Sequence, residues 1–172
     1  MTNTRKLIYS AICLAIGLLL PQVFHMFSVA NAGSVFCPMH LPVLLCGFLC
    51  GWIWGGAVGI LVPLLSSLIT GMPPLFPTGV SMMLELCAYG ILAGVFYNLT
   101  KKKIFLSLIL AMLGGRIVLG IANTVILGLS GTAYGFTTFL TSAFVTALPG
   151  IVIQLVLIPV ILFALKKAKL AD

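Results

Sequence analysis

The scarcity of charged side chains constrains the fold of this 172-residue chain more than any other feature. Between Lys6 and Lys101 the sequence contains a single charged residue, Glu85. Charged residues make up 6% of the chain, against roughly 25% in a soluble domain, and 62% of the residues are hydrophobic. Such a chain cannot cover a water-facing surface, so we expect one integral membrane domain over residues 1–172.

The basic residues lie at the flanks of the apolar runs, with one exception. They give a net charge of +7, which in a soluble protein would suggest nucleic-acid binding. They occur as Arg5 and Lys6, as Lys101 to Lys103, as Lys166, Lys167 and Lys169, and as the isolated Arg116. Because Lys and Arg are enriched on the cytoplasmic side of membrane helices, we expect both termini to be cytoplasmic. Basic residues in these flanking positions do not indicate a nucleic-acid partner.

Apolar runs and helix-breaking residues predict an all-α bundle of six transmembrane helices. The predicted helices cover about residues 6–24, 39–50, 57–70, 80–99, 104–129 and 138–165. The segment GWIWGG separates the second helix from the third. The segment TGMPPLFPTG separates the third from the fourth, because its prolines and glycines cannot continue a helix. The sixth helix is expected to kink near Pro149-Gly150 and Pro159.

Two ionisable residues are predicted at membrane depth, where such groups are rare and usually functional. Arg116 lies 13 residues after Lys103, roughly 20 Å from the cytoplasmic face, and Glu85 lies eight residues after Pro77, roughly 12 Å below the outer surface. Both therefore belong to the outer half of the membrane. Two interpretations remain open. Glu85 and Arg116 form an ion pair that only joins two helices, or Arg116, alone or with Glu85, faces a cavity and binds a polar ligand, with the guanidinium suited to a carboxylate or another planar acceptor.

Five further residues are candidate ligand contacts in the same region: His40, Tyr89, Asn123, Gln154 and, in the first outer loop, Asn31. Tyr89 lies one helical turn from Glu85, and Asn123 lies about two turns beyond Arg116. Each candidate also has a structural interpretation. Asn123 and Gln154 would form interhelical hydrogen bonds, His40 would satisfy a backbone carbonyl, and Asn31 would shape a turn.

The other chemistry-bearing residues do not indicate catalysis. The five cysteines lie in apolar surroundings and are interpreted as packing residues. The two histidines have no acidic cluster beside them, so we expect no metal site. Nucleotide-binding, serine-hydrolase and metalloprotease motifs do not occur, and one buried glutamate provides no acid–base pair. We therefore expect a binding protein without a resident cofactor, and not an enzyme.

Small residues on the first helix introduce a family resemblance. Ala11 and Ala15, in YSAICLAIG, share one helix face, and this spacing lets another helix approach closely. Together with PMHLPVLLCGFLCG, GILVPLLSSLITGMPPLFP and ELCAYGILAGVFY, in that order, they make the chain resemble the S-components of energy-coupling factor (ECF) vitamin transporters. The resemblance implies a prokaryotic plasma-membrane protein that binds a vitamin from outside. It also implies assembly with a transmembrane T subunit, which would contact Ala11 and Ala15, and with two ATPase subunits that use ATP.

The identity of the vitamin is less constrained. The PMH-PVLL…GMPP pattern is most similar to the pantothenate branch, and Arg116 would then neutralise the pantothenate carboxylate. Folate, lipoate, biotin and riboflavin carriers are alternatives, and a pyridoxine or pyrimidine carrier would leave Arg116 to Glu85. Outside the family, the alternatives are a stand-alone channel or secondary transporter, and a membrane enzyme or assembly factor. The inner half of the membrane offers few polar residues for a channel.

Overall fold

The computed structural model describes residues 2–26, 32–129 and 135–168, and these residues form helices without any strand. The helices are α1 (Asn3–Met26), α2 (Ala32–Phe36), α3 (His40–Cys50), α4 (Trp52–Thr70), α5 (Val80–Leu99), α6 (Ile104–Leu129), α7 (Phe136–Leu140) and α8 (Leu148–Lys167). A kinked segment at Leu75–Gly79, in which Phe76 is extended, precedes α5, and a π-helical turn at Thr141–Thr146 precedes α8. Within the described ranges, six segments are long and apolar enough to cross a bilayer, which confirms the predicted six-helix class.

Helix α5 lies at the centre of the bundle, in contact with α3, α4 and α6. Its close approach to α4 depends on glycine. A Cβ atom on Gly90 would collide with the carbonyl of Gly55, and one on Gly59 would collide with the backbone of Leu86. Small residues at helix contacts let two backbones pack closely. In a membrane this close packing drives helix association, because the hydrophobic effect does not act between helices that are surrounded by lipid. The glycines therefore hold α5 in the position from which it presents Glu85 and Tyr89.

The predicted third and sixth helices differ from the observed ones at their starts. Helix α4 begins at Trp52 and not at 57, because only Gly51, at φ 92°, leaves the helical conformation. Gly55 and Gly56 remain helical because both pack against α5. The sixth helix is not one kinked element from 138 to 165. Pro149 lies in the first turn of α8, where its missing N–H is not needed, and the chain before it forms α7 and a π-helical turn.

The start of α1 and the end of α8 meet at one face of the bundle. Lys6 on α1, Lys102 between α5 and α6, and Lys166 on α8 all line one depression there. The structure thus brings three separate basic groups of the sequence to the same face, which we call the lysine face. Large apolar side chains on α1, α6 and α8 are exposed along the rest of the bundle, as expected for helices surrounded by lipid.

Candidate binding site

Five of the polar residues selected from the sequence lie together inside the bundle. His40 opens α3, Glu85 and Tyr89 belong to α5, Arg116 to α6 and Gln154 to α8, and each is at most 5% exposed. We call these five residues the polar cluster. Arg116 lies twelve residues beyond the start of α6 at the lysine face, a rise of about 18 Å. The polar cluster therefore lies about 18 Å along α6 from the lysine face.

An ion pair forms the centre of the polar cluster. The Nη1 atom of Arg116 lies 3.2 Å from Oε1 of Glu85, and the Nε2 atom of His40 lies 3.4 Å from the same oxygen. Glu85 and Arg116 thus form an ion pair between α5 and α6. One carboxylate oxygen thus lies close to both a guanidinium and an imidazole.

The Gly-Gly pair before Arg116 explains how a tyrosine fits beside it. A Cβ atom on Gly115 would lie 2.7 Å from the ring of Tyr89, and one on Gly114 would collide with Leu92. Without side chains at these positions, α6 packs directly on α5. The Tyr89 ring then meets the His40 ring edge-on at a centroid distance of 5.2 Å. The sequence GGR thus places a guanidinium and an aromatic ring side by side.

Cys37 joins the polar cluster although the sequence indicated only a packing role for it. Its Sγ accepts a weak hydrogen bond from Nη2 of Arg116 at 3.9 Å, and its carbonyl accepts one from Nε2 of Gln154 at 3.4 Å. Its φ of 47° is uncommon for a residue with a side chain. The only local signal is its place before Pro38, which restricts its backbone and lies between α2 and α3.

Much of the hydrogen-bonding capacity of the polar cluster is unused. In the described part of the chain, the buried side-chain nitrogen and oxygen atoms without a hydrogen-bond partner all belong to these five residues. Nδ1 of His40, Nε of Arg116 and Oε1 of Gln154 have no polar partner, whereas Nε2 of His40, Oε1 of Glu85 and the hydroxyl of Tyr89 have only electrostatic contacts within the cluster. An unsatisfied buried polar group is unfavourable by about 1–3 kcal/mol, so this concentration is typical of a site that receives a polar ligand or water.

An open groove of ≈430 Å³ lies near the polar cluster, between α6 and the start of α7. Its lining is mostly apolar and includes Ile117, Gly120 and Phe139. None of the five residues of the polar cluster lines this groove. A ligand that occupies the groove would therefore need a rearrangement of side chains to meet Arg116.

A comparison with family models identifies the kind of protein that carries this site. The model of the ECF transporter substrate-specific component matches residues 5–162, nearly the whole chain. The chain belongs to this family. Searches of curated proteins and of solved structures return no match. The family assignment confirms the resemblance inferred from the sequence, and members of this family are the substrate-binding parts of transporters.

The remaining residues predicted for the S-component are placed as follows. Asn123 is half-buried seven residues beyond Arg116 on α6, and Asn31 lies outside the described residues. Ala11 and Ala15 are exposed on α1, where they remain accessible to a partner helix. Among the described residues, no group of three His, Cys, Asp or Glu side chains is placed to hold a metal ion.

Proposed function

We propose that this S-component binds pantothenate from outside the cell and delivers it across the membrane. One observation supports the proposal that the substrate is polar. It is the concentration in the polar cluster of buried polar atoms that lack a hydrogen-bond partner. Five residues from four helices supply these atoms, so one ligand would connect α3, α5, α6 and α8. A site built for hydrogen bonds discriminates strongly, because a wrong ligand leaves its buried polar groups unsatisfied.

The proposed contacts follow the chemistry of each side chain. Arg116 uses Nη1 for Glu85 and would offer Nε and Nη2 to the carboxylate of pantothenate, in exchange for the weak contact with Cys37. The hydroxyl and amide groups of the vitamin would contact His40, Tyr89 and Gln154, with Asn123 and Asn31 as further contacts. Glu85 orients the guanidinium and neutralises its charge. The burial of Arg116 inside the membrane is therefore less unfavourable when the site is empty.

An uncharged vitamin of the pyridoxine or pyrimidine type is the second candidate. The observation that favours it is the 3.2 Å pair between Arg116 and Glu85, because the guanidinium already has a carboxylate partner. His40, Tyr89 and Gln154 would then provide the recognition. The two candidates differ in one property: only the first requires Arg116 for affinity.

Transport itself requires partners. We propose that Ala11 and Ala15 dock on the transmembrane T subunit, which links this chain to two ATPase subunits that hydrolyse ATP. Both residues are exposed, and Ile8, Ile12 and Leu19 extend the same apolar helix as an exposed surface. The lysine face would be cytoplasmic in a prokaryotic plasma membrane, since basic residues favour that side.

Identification of the bound small molecule tests the proposal. The protein is purified in mild detergent and heat-denatured, and the released solution is analysed by mass spectrometry. We expect pantothenate at close to one molecule per chain, together with a T subunit and ATPases in the complex purified from a native host. A neutral vitamin would establish the second candidate. Uptake in cells without the ATPases would instead indicate a stand-alone transporter and contradict both.

A further inference from the structure

A second polar depression lies at the lysine face, far from the polar cluster. It has a volume of ≈230 Å³, and its polar lining comes from four separate parts of the chain. We call it the lysine pocket, and its main polar residues are Lys6, Lys102, Lys166, Tyr97 and Asn98. The binding of a substrate from the other side of the membrane does not require such a pocket.

The positive charge of the lysine pocket is not compensated within the described chain. The sequence contains two acidic residues, Glu85 and Asp172. Glu85 lies twelve residues from Tyr97 on α5, a rise of about 18 Å, and it already pairs with Arg116. Asp172 lies outside the described residues. Three ammonium groups around one depression therefore favour an anion.

The walls of the lysine pocket are ordered by specific contacts. The Nζ atom of Lys166 lies 5.3 Å from the centroid of the buried Tyr97 ring, and that ring packs edge-on against Phe48. Lys102 has a φ of 66°, and its backbone N–H donates a hydrogen bond of 2.9 Å to the carbonyl of Tyr97. A positive φ is uncommon for a residue with a side chain, so the turn holds Lys102 in a defined place.

Apolar surface surrounds this charged pocket. Leu99 is 70% exposed at the end of α5, and Ile8 and Trp52 are more than half exposed on neighbouring helices. Lysines at the end of apolar helices lie at the level of lipid headgroups, and their ammonium groups attract anionic lipids. A ligand with a phosphate and an attached hydrocarbon chain would satisfy both parts of the surface.

We propose that the lysine pocket binds a phosphate group, supplied by the headgroup of an anionic phospholipid or by a soluble phosphate compound. Lys6, Lys102 and Lys166 would contact the phosphate oxygens, and Asn98 would donate a further hydrogen bond. Because these lysines belong to α1, to the α5–α6 turn and to α8, the bound phosphate would join the two ends of the chain.

Fluorescence quenching in lipid nanodiscs tests this proposal. The two tryptophans, Trp52 and Trp54, both lie in the first turn of α4, which begins directly after the pocket residue Gly51. Brominated phosphatidylglycerol is titrated into phosphatidylcholine nanodiscs, and brominated phosphatidylcholine serves as the neutral reference. The pocket variant is Lys6→Gln, Lys102→Gln and Lys166→Gln. Its matched control, Lys101→Gln, Lys103→Gln and Lys167→Gln, removes the same charge from exposed lysines at the same face.

We expect the parent protein and the control to prefer phosphatidylglycerol, and the pocket variant to lose at least about tenfold in apparent affinity. Reversal of the quenching by millimolar inorganic phosphate in the parent would assign the site to a soluble phosphate compound. Persistence of the quenching would assign it to the lipid. Equal losses in both triple variants would show only general surface attraction and overturn the proposal. If the triple pocket variant fails to fold, the single variants Lys166→Gln (pocket) and Lys167→Gln (control) are compared in the same titration. A loss of affinity in Lys166→Gln alone then supports the proposal, and equal losses overturn it.

Discussion

Removal of the Arg116 guanidinium separates its structural role from a role in ligand binding. Arg116→Gln leaves the Glu85 carboxylate, which is 4% exposed, without its main partner. Breaking a buried ion pair in this way is unfavourable by about 3–5 kcal/mol. The Nε2 atom of His40 lies 3.4 Å from the same oxygen and remains beside it after the substitution. We therefore expect a loss of stability near the lower limit, about 3 kcal/mol.

The double variant Glu85→Gln and Arg116→Gln contains no buried charge at this position. Two neutral amides of similar size can form a hydrogen bond with each other, so we expect its stability to return to within about 1 kcal/mol of the parent. Pantothenate affinity should not return. Both variants should bind at least tenfold more weakly than the parent, a loss of about 1.4 kcal/mol or more.

Two measurements on each variant complete this test. A thiol-reactive dye follows unfolding, because Cys13, Cys37, Cys46 and Cys50 are buried in the folded chain. Isothermal titration calorimetry in detergent measures pantothenate affinity, and Arg5→Gln, an exposed arginine, is the matched control. Parental affinity in the double variant would show that the pair only joins α5 and α6, and the carboxylate interpretation would then be wrong.

Three further outcomes are expected. Ala11→Trp with Ala15→Trp should leave vitamin binding unchanged and abolish uptake in cells, because both residues are exposed; a loss of binding would place them inside the bundle. Gly90→Ala should destabilise the protein by about 1–3 kcal/mol in thermal unfolding, since its Cβ collides with the carbonyl of Gly55. Tyr89→Phe removes a buried hydroxyl beside Glu85, so affinity should fall by more than stability does; unchanged affinity would exclude a ligand contact.

Much of the helical framework could be predicted because strong local signals bound it. The predicted helices at 80–99 and 104–129 agree with α5 and α6, since a proline-rich segment and three lysines mark their ends. Their continuity also made the depth of Glu85 and Arg116 predictable at 1.5 Å per residue. The predicted start of α4 was wrong because the helical state of Gly55 and Gly56 depends on their contacts with α5. Helix propensity is a local property of the sequence and does not take such contacts into account.

The composition of the polar cluster was predictable in part. Ionisable and amide side chains in apolar helices can be selected from the sequence as candidate site residues, because burying such a group without a partner is unfavourable. Cys37 gave no such signal, since its contribution comes from a backbone carbonyl and a weakly accepting sulfur held at a positive φ.

The short helix α2 connects the two sides of the proposed site, and a glycine controls its position. The chain places Cys37 directly after α2, and Cys37 contacts both Arg116 and Gln154. Helix α2 packs on α8 at Gly150, where a Cβ atom would lie 2.8 Å from the carbonyl of Phe36 and 2.9 Å from that of Val35. Both obstacles are backbone atoms, so Gly150→Ala must move α2 and α8 apart.

Such a displacement would weaken the contacts through Cys37 without removing any side chain of the polar cluster. We expect Gly150→Ala to release pantothenate about tenfold faster, with little change in its association rate, because mutational effects on affinity fall mainly on dissociation. Stopped-flow measurement of both rates checks this result. The control is Gly128→Ala, since a Cβ atom at Gly128 meets nothing within 4 Å. Equal dissociation rates in the two variants would show that α2 does not hold the ligand, and the polar cluster would then bind it from α3, α5, α6 and α8 alone.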